Sequence, residues 1–318
     1  MAHLIETMAF VRHTPWHGLG TRLPPHQSIE AWQQAAGMDW ALLSAPVLYA
    51  VGEGETRRVK VNPDAQVLFR SDTQMPLSVV SQRYQPVQPR EVLAFYRDLV
   101  AAGGFELETA GVLKGGKKLW ALARTGQAAV LKGGDQVKAY LLLATSCDGS
   151  LATTAQFTSV RVVCNNTLQL ALGKQAQAVK VPHSTRFDPA LVKRELGLGL
   201  SAWESFLASI QTMAACPVSQ DEARRFLVDV LGDPAGPAVP ARQRTQEQVL
   251  ALFEGQGMGA ALPSARQTVW GLLNATTEFV DHHRRARSQD HRLDAAWFGA
   301  GAAIKARALL AAHQLVQA

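Results

Sequence analysis

The chain of 318 residues is poor in cysteine, in aromatic residues and in charge. Its three cysteines, Cys147, Cys164 and Cys216, are odd in number, widely spaced and without a CxxC pair. That argues against both a disulfide framework and a cysteine-rich zinc site, and the three read as small buried hydrophobes. Long apolar runs are also missing: the longest, Ala139 to Ala144, is strand-sized, whereas a membrane-spanning helix needs about 18 consecutive apolar residues. No membrane partner is therefore expected. His3, Glu6, Arg12, His13 and His17 stand where a signal peptide would have its apolar centre, so the default location is the cytoplasm. The phosphate-cradling GxxxxGK[ST] loop, the GxSxG elbow and a GxGxxG turn opening a helix after a strand are all absent, and Gly255-Gln256-Gly257-Met258-Gly259 lacks that context. ATPase, α/β-hydrolase and dinucleotide-binding readings thus have no positive support, and no cofactor is expected.

What is present is a basic excess in one part of the chain. Residues 1–190 hold nineteen Lys and Arg against fourteen Asp and Glu, while residues 191–318 are nearly balanced at thirteen against twelve. The first part reads as strands with a few helices. Ser28 caps a short helix running to Gly37, Trp40 to Val51 has the length of a strand, and Gln88-Pro89 opens a helix that Gly103-Gly104 ends. Extended segments follow at Phe105–Leu113, Lys117–Arg124, Val137–Ser146 and Leu151–Val163, separated by the glycine pairs at 115–116 and 133–134 and by Asp148-Gly149. Asn165-Asn166 ends this sheet and Thr167 to Leu172 is expected to start a helix.

The remainder is helical. Asp188-Pro189 is a cap followed by proline, and Ser219 with Glu222, Thr245 with Gln248 and Ser264 with Gln267 have capping-box spacing. Residues 232–240 form a Gly/Pro-rich loop and Gly255 to Gly259 a second break. The expected architecture is α+β: an N-terminal domain over 1–187 with a basic antiparallel sheet packed by helices, then a helical region over 188–318.

Between Lys114 and Lys138 six cations face one acid, Asp135. Strand alternation puts Lys118, Trp120 and Arg124 on one face, Lys138 and Tyr140 on one face, and Phe157, Ser159 and Arg161 on one face. Cations neutralise closely spaced phosphates and flat rings stack on bases, the combination that single-stranded nucleic acid needs. The expected contact set is Lys114, Lys117, Lys118, Trp120, Arg124, Lys132, Lys138, Tyr140, Arg161, Lys174 and Lys180. The same alternation also fits Trp120, Tyr140 and Phe157 as a core beneath the helix from Pro89, with lysines at solvated strand ends.

Two other clusters carry titratable groups. Asp281, His282, His283, Asp290, His291 and Asp294 could ligate a metal, but the spacing matches no HExxH helix and four arginines stand among them; a charged helix end with ion pairs is the plainer reading. His13, Trp16, His17, Gly18 and Gly20 form a compact N-terminal motif.

Three separated motifs carry a family resemblance. They are Met1-Ala2-His3 through Pro15-Trp16-His17-Gly18-Leu19-Gly20, then Arg161-Val162-Val163-Cys164-Asn165-Asn166-Thr167-Leu168, and finally Trp270 to His282 with Arg292 to Gly299. In these the chain resembles the phage/plasmid-like proteins of unassigned function that carry domain of unknown function 932. The resemblance implies residence on a mobile element and no particular activity. At the level of fold, the order helix, basic antiparallel hairpins, helix is similar to the single-strand annealing proteins of the Redβ, RecT and Erf group. That similarity implies a ring or filament that holds single-stranded DNA without a nucleotide, acting in recombination. The alternatives are a mobile-element protein that modulates a host protein, and a metal-dependent nucleic-acid enzyme using Asp281, His282, His283 and Asp290.

Overall fold

The computed structural model describes residues 5–11, 20–101, 104–163, 166–169, 171–172, 175–176, 178–197, 201–232 and 240–317. Its order is β1 (Ile5–Val11), β2 (Thr21–Leu23), α1 (Ile29–Ala35), β3 (Leu42–Val51), β4 (Arg58–Arg70), β5 (Pro76–Ser81), α2 (Pro89–Ala94), α3 (Arg97–Ala101), β6 (Glu106–Leu113), β7 (Lys118–Leu131), β8 (Asp135–Ser146) and β9 (Thr153–Arg161). Four short strands follow, β10 (Asn166–Gln169), β11 (Ala171–Leu172), β12 (Gln175–Ala176) and β13 (Ala178–Val181). The helices α4 (Pro189–Gly197), α5 (Ser201–Ala215), α6 (Gln220–Leu231), α7 (Pro240–Ala251), α8 (Val269–Glu278), α9 (Gln289–Phe298) and α10 (Ala300–Gln317) complete the chain. The class is α+β, as the alternation of patterns implied. No helix among the described residues is long and apolar enough to cross a membrane.

The principal sheet runs β10-β9-β8-β7-β6-β1-β2, with β13 also pairing β9, and a separate three-stranded sheet runs β3-β4-β5. Two compact units interleave along the chain: residues 1–125, 141–156 and 178–197 form one, and residues 126–140, 157–177 and 198–318 the other.

In the first unit, Ser28 caps α1 by accepting from the Ala31 N–H. Gln88 and Glu91 close a reciprocal capping box at α2 with Pro89 at its first position, so the orphan amides of that helix start are satisfied by its own sequence. The helix expected from Gln88 to Gly103 is broken into α2 and α3 around Phe95 and Tyr96. Both rings are fully buried, and the Tyr96 hydroxyl lies 2.8 Å from the Ala121 carbonyl and 3.0 Å from that of Leu141. Burial without water pushes its phenol well above the usual range.

In the second unit, Ser219 and Glu222 form the expected capping box at the start of α6, and Asp188 accepts from the Ala190 and Leu191 amides at α4 in the first. Two other capping expectations fail. Thr245 lies inside α7, and no helix begins at Ser264, because Thr268 caps α8 by accepting from the Gly271 N–H. The helix expected from Thr167 is instead β10, paired antiparallel to β9 with Thr167 opposite Val160; a strand open on that side of β9 recruits the segment through backbone hydrogen bonds that its own propensity does not reveal. Every residue of α8 is buried, including Asn274, Thr276, Thr277 and Glu278. These polar groups are satisfied locally: Asn274 donates to the Trp270 carbonyl, Thr276 to that of Leu272, and the Glu278 carboxylate accepts from the Met258 N–H.

Candidate nucleic-acid interface

The sheet face expected to carry rings and cations is closed. Trp120 is 2% exposed and Tyr140 3%, and β7 is buried on both faces from Lys118 to Ala123. Neither ring can stack on a base, because both are core. Period-two alternation places residues on faces but does not say that a face is solvated, and here both faces are covered. Lys118 is buried as well. Asp148 pays for partial burial, yet hydrogen bonds from Ser150 and Ser146 and the nearby Lys118 charge hold its carboxyl below the usual range.

Arg161, another expected phosphate contact, is locked inside the second unit. Its Nε donates to both Asp135 oxygens at 2.8 and 3.0 Å, and its Nη1 and Nη2 reach the Met258 and Gly259 carbonyls at 3.4 and 3.1 Å. Asp135 also accepts from Ser264 Oγ at 2.7 Å and Trp270 Nε1 at 3.0 Å. The one acid set against six cations in the sequence is therefore the hub of a buried network, and Ser264, expected to cap a helix, is one of its donors. Arg124 is half-buried and paired with Glu106 and Glu108, so its charge is neutralised across β6 and β7. Trp120, Tyr140, Lys118, Arg161 and Arg124 are thereby corrected from contact residues to structural ones.

The remaining expected cations reach solvent to different degrees. Lys132 and Lys180 are exposed and Lys114, Lys117 and Lys138 half-buried, while Lys174 lies outside the described residues. Lys114 and Lys117 flank a single 3-10 turn whose Gly116 has φ 104°. A Cβ at Gly116 would come within 3.2–3.3 Å of Arg70, Leu77 and Trp40, so the turn is seated against the base of the β3-β4-β5 sheet. There Arg70 stacks its guanidinium 4.4 Å from the Trp40 ring centroid and holds the Asp72 carboxyl below the usual range.

That small sheet carries an exposed ring and exposed cations together. At its base the inner face is core: Leu42 is 6% exposed and Leu68 1%. Beyond a register shift between Pro46 and Val47, only β3 and β4 continue, and residues 47–62 are exposed or half-exposed on both faces. Tyr49 pairs with Lys60 and Val51 with Arg58, so these four side chains share one face. Tyr49 is 48% exposed, and Lys60 and Arg58 are exposed. Glu53 and Glu55 sit apart in the turn at the tip. The signal was present as two alternating runs, Val47 to Val51 and Arg58 to Asn62, around Gly52-Glu53-Gly54-Glu55, but Asn62-Pro63-Asp64 at the end of the second run reads as a strand breaker.

The possible metal ligands do not converge. Asp281 is paired with Lys305 at 2.8 Å with both side chains 5% exposed, His283 Nε2 lies 3.5 Å from Glu278, and His291 Nδ1 lies 2.8 Å from Ser288 Oγ. The Asp290 side chain is outside the described residues, and among those described no group of three or more His, Cys, Asp or Glu could hold a metal ion. His13, Trp16, His17 and Gly18 also lie outside the described residues. Gly20 is described, and its φ of 109° and its approach to Met8 leave no room for a side chain.

A family profile with the description "Domain of unknown function (DUF932)" matches residues 76–297. The chain belongs to the DUF932 family. The match contains the central motif around Arg161 and the closing motif from Trp270. In this DUF932 protein the two segments meet in the Asp135 network, where Arg161 and Trp270 bind the same carboxylate. The β3-β4 arm precedes the matched range. No curated protein matches this DUF932 chain.

Proposed function

We propose that this DUF932 protein binds single-stranded DNA and anneals it, without a nucleotide cofactor, in the recombination or replication of a phage or plasmid, in the cytoplasm of the host. The observation that carries the reading is the outer face of the β3-β4 arm. It joins an exposed ring, Tyr49, to two exposed cations, Lys60 and Arg58, on one solvated ribbon. A ribbon of this kind follows a flexible strand: the cations neutralise phosphates and the ring takes a base whatever its identity. Lys114, Lys117, Lys180, Lys132 and Lys138 are further solvent-reaching cations.

The test is a fluorescence-anisotropy titration with a labelled single strand and with its duplex, at low and at physiological salt. The expected result is tighter binding of the single strand, weakening as salt rises. Each phosphate contact on a single strand contributes about 0.7 to the slope of log affinity against log salt, so Arg58→Glu with Lys60→Glu should flatten that slope by about 1.4. Tyr49→Ala should remove about 1–3 kcal/mol of stacking. Salt-insensitive binding, or unchanged binding by the charge-reversed arm, refutes the assignment. A reading as a modulator of a host protein is favoured by one observation, the exposed apolar residues Leu43 and Val79 on the same sheet and Met75 in its β4-β5 connection; it predicts no affinity for either oligonucleotide at low salt.

A further inference from the structure

The arm has a second property that strand binding does not use. Its inner face is wholly apolar: Leu48 is paired with Val61 and Ala50 with Val59, and Leu48, Val59 and Val61 are 58%, 65% and 56% exposed. This is the same face that at the base of the sheet buries Leu42 and Leu68. Two strands alone are marginal in water, and an uncharged face offers nothing to phosphate.

The two free edges of the arm differ in charge. β3 is the edge strand of its sheet; at its start the Gln88 side chain holds the amide and carbonyl of Leu42, and its ten residues, Leu42 to Val51, include no charged side chain. Proteins ordinarily guard such edges with lysine, with proline or with charge turned inward. The edge of β4 at the arm carries Arg58 and Lys60, so pairing two β4 edges would set like charges together. Pairing two β3 edges brings no charge to desolvate and none to repel. Pro46 has no N–H to donate and interrupts this edge towards the base, so the uninterrupted edge is that of the arm, Val47 to Val51.

We infer that β3 pairs with β3 of a second copy of this chain, antiparallel about a two-fold axis, to give a continuous sheet β5-β4-β3-β3-β4-β5. A two-fold axis perpendicular to a sheet keeps each face on its own side. The outer faces of both arms therefore become one surface, with Tyr49, Lys60 and Arg58 contributed by each copy, and the apolar inner faces also become continuous. The partner thus supplies half of the strand-binding surface. The pairing stands on the edge itself; only the statement that the joined surface holds a nucleic acid rests on the function proposed above.

Light scattering on the full chain, with amide hydrogen exchange of β3 at low and high protein concentration, tests the pairing. The expected mass is that of two chains or a multiple of it, and β3 amides should exchange more slowly at high concentration. Leu48→Lys or Ala50→Lys should return the mass to one chain, while Val130→Lys, an exposed site on β7, should leave the assembly unchanged. A wild-type chain of single mass at every concentration, a Leu48→Lys chain that keeps the wild-type mass, or β3 exchange independent of concentration overturns the pairing. Since the exchange measurement uses the unaltered chain, it decides the matter even where a lysine variant fails to fold. Anisotropy on the same samples separates the two ideas: an assembly that ignores DNA refutes the function and leaves the pairing, and a single chain that binds DNA refutes the pairing alone.

Discussion

Asp135→Ala is the sharpest perturbation of the second unit. The Asp135 side chain is fully buried and that of Arg161 is 2% exposed, so alanine at 135 leaves a guanidinium in the interior without the carboxylate that both balances its charge and hydrogen-bonds it. Removing one partner of a buried pair costs about 3–5 kcal/mol, because the surviving charge is neither hydrated nor matched. The hydroxyl of Ser264 and the indole N–H of Trp270 lose their acceptor too, each an unsatisfied buried donor of about 1–3 kcal/mol if nothing replaces it. These costs overlap, since all the donors converge on one carboxylate, and a total near 4 kcal/mol is expected, about the cost of losing the pair alone. Replacing both charges, Asp135→Leu with Arg161→Met, should recover most of the loss, because no buried ion remains to be desolvated. The assay is urea unfolding of the wild type, the single variant and the double variant, at low and high salt. The deficit of the single variant should be the same at both, since salt screens buried pairs weakly. An Asp135→Ala loss below about 1 kcal/mol, or a double variant less stable than the single one, refutes the argument.

Further predictions concern single sites. Burial pushes the Cys147 thiol up to about 12, so a thiol reagent at neutral pH should leave it unmodified in the folded chain and label it in urea. Gly133 has φ 85°, and a Cβ there would meet Pro263 at 2.3 Å; Gly133→Ala should destabilise by more than the roughly 1 kcal/mol typical of a point change, read from the same unfolding curves. Partial burial holds the His313 imidazole below its ordinary value. The unfolded chain therefore binds that proton more readily, and the contribution of His313 to stability is full above the unfolded value near 6.5 and is lost as pH falls from there through the lower folded value. His313→Gln should flatten the stability profile between neutral and mildly acidic pH, and an unchanged slope contradicts this.

Local chemistry made much of the fold legible. Ser28, the Gln88-Pro89 step, Asp188-Pro189 and Ser219 with Glu222 mark helix starts because the groups that satisfy the first amides are neighbours in sequence. The four strands from Glu106 to Arg161 were marked by their turns. What failed was set by distant partners. Thr167 lies opposite Val160 in a strand rather than opening a helix, and Ser264 serves Asp135 rather than a helix end. The site was misplaced for a related reason. Alternation assigns Trp120 and Tyr140 to faces, but only tertiary packing decides that those faces are closed. Tyr49, Arg58 and Lys60 belong to two paired strands joined by a charged turn, and their juxtaposition depends on a pairing register that sequence spacing does not fix.

The central claim is annealing, and strand annealing measures it directly. Two complementary labelled single strands are mixed with the chain, without nucleotide, and duplex formation is followed by fluorescence transfer. The account predicts annealing faster than in buffer alone, slowed by Arg58→Glu with Lys60→Glu; a rate equal to that of buffer, at concentrations where the chain is bound to both strands, contradicts it.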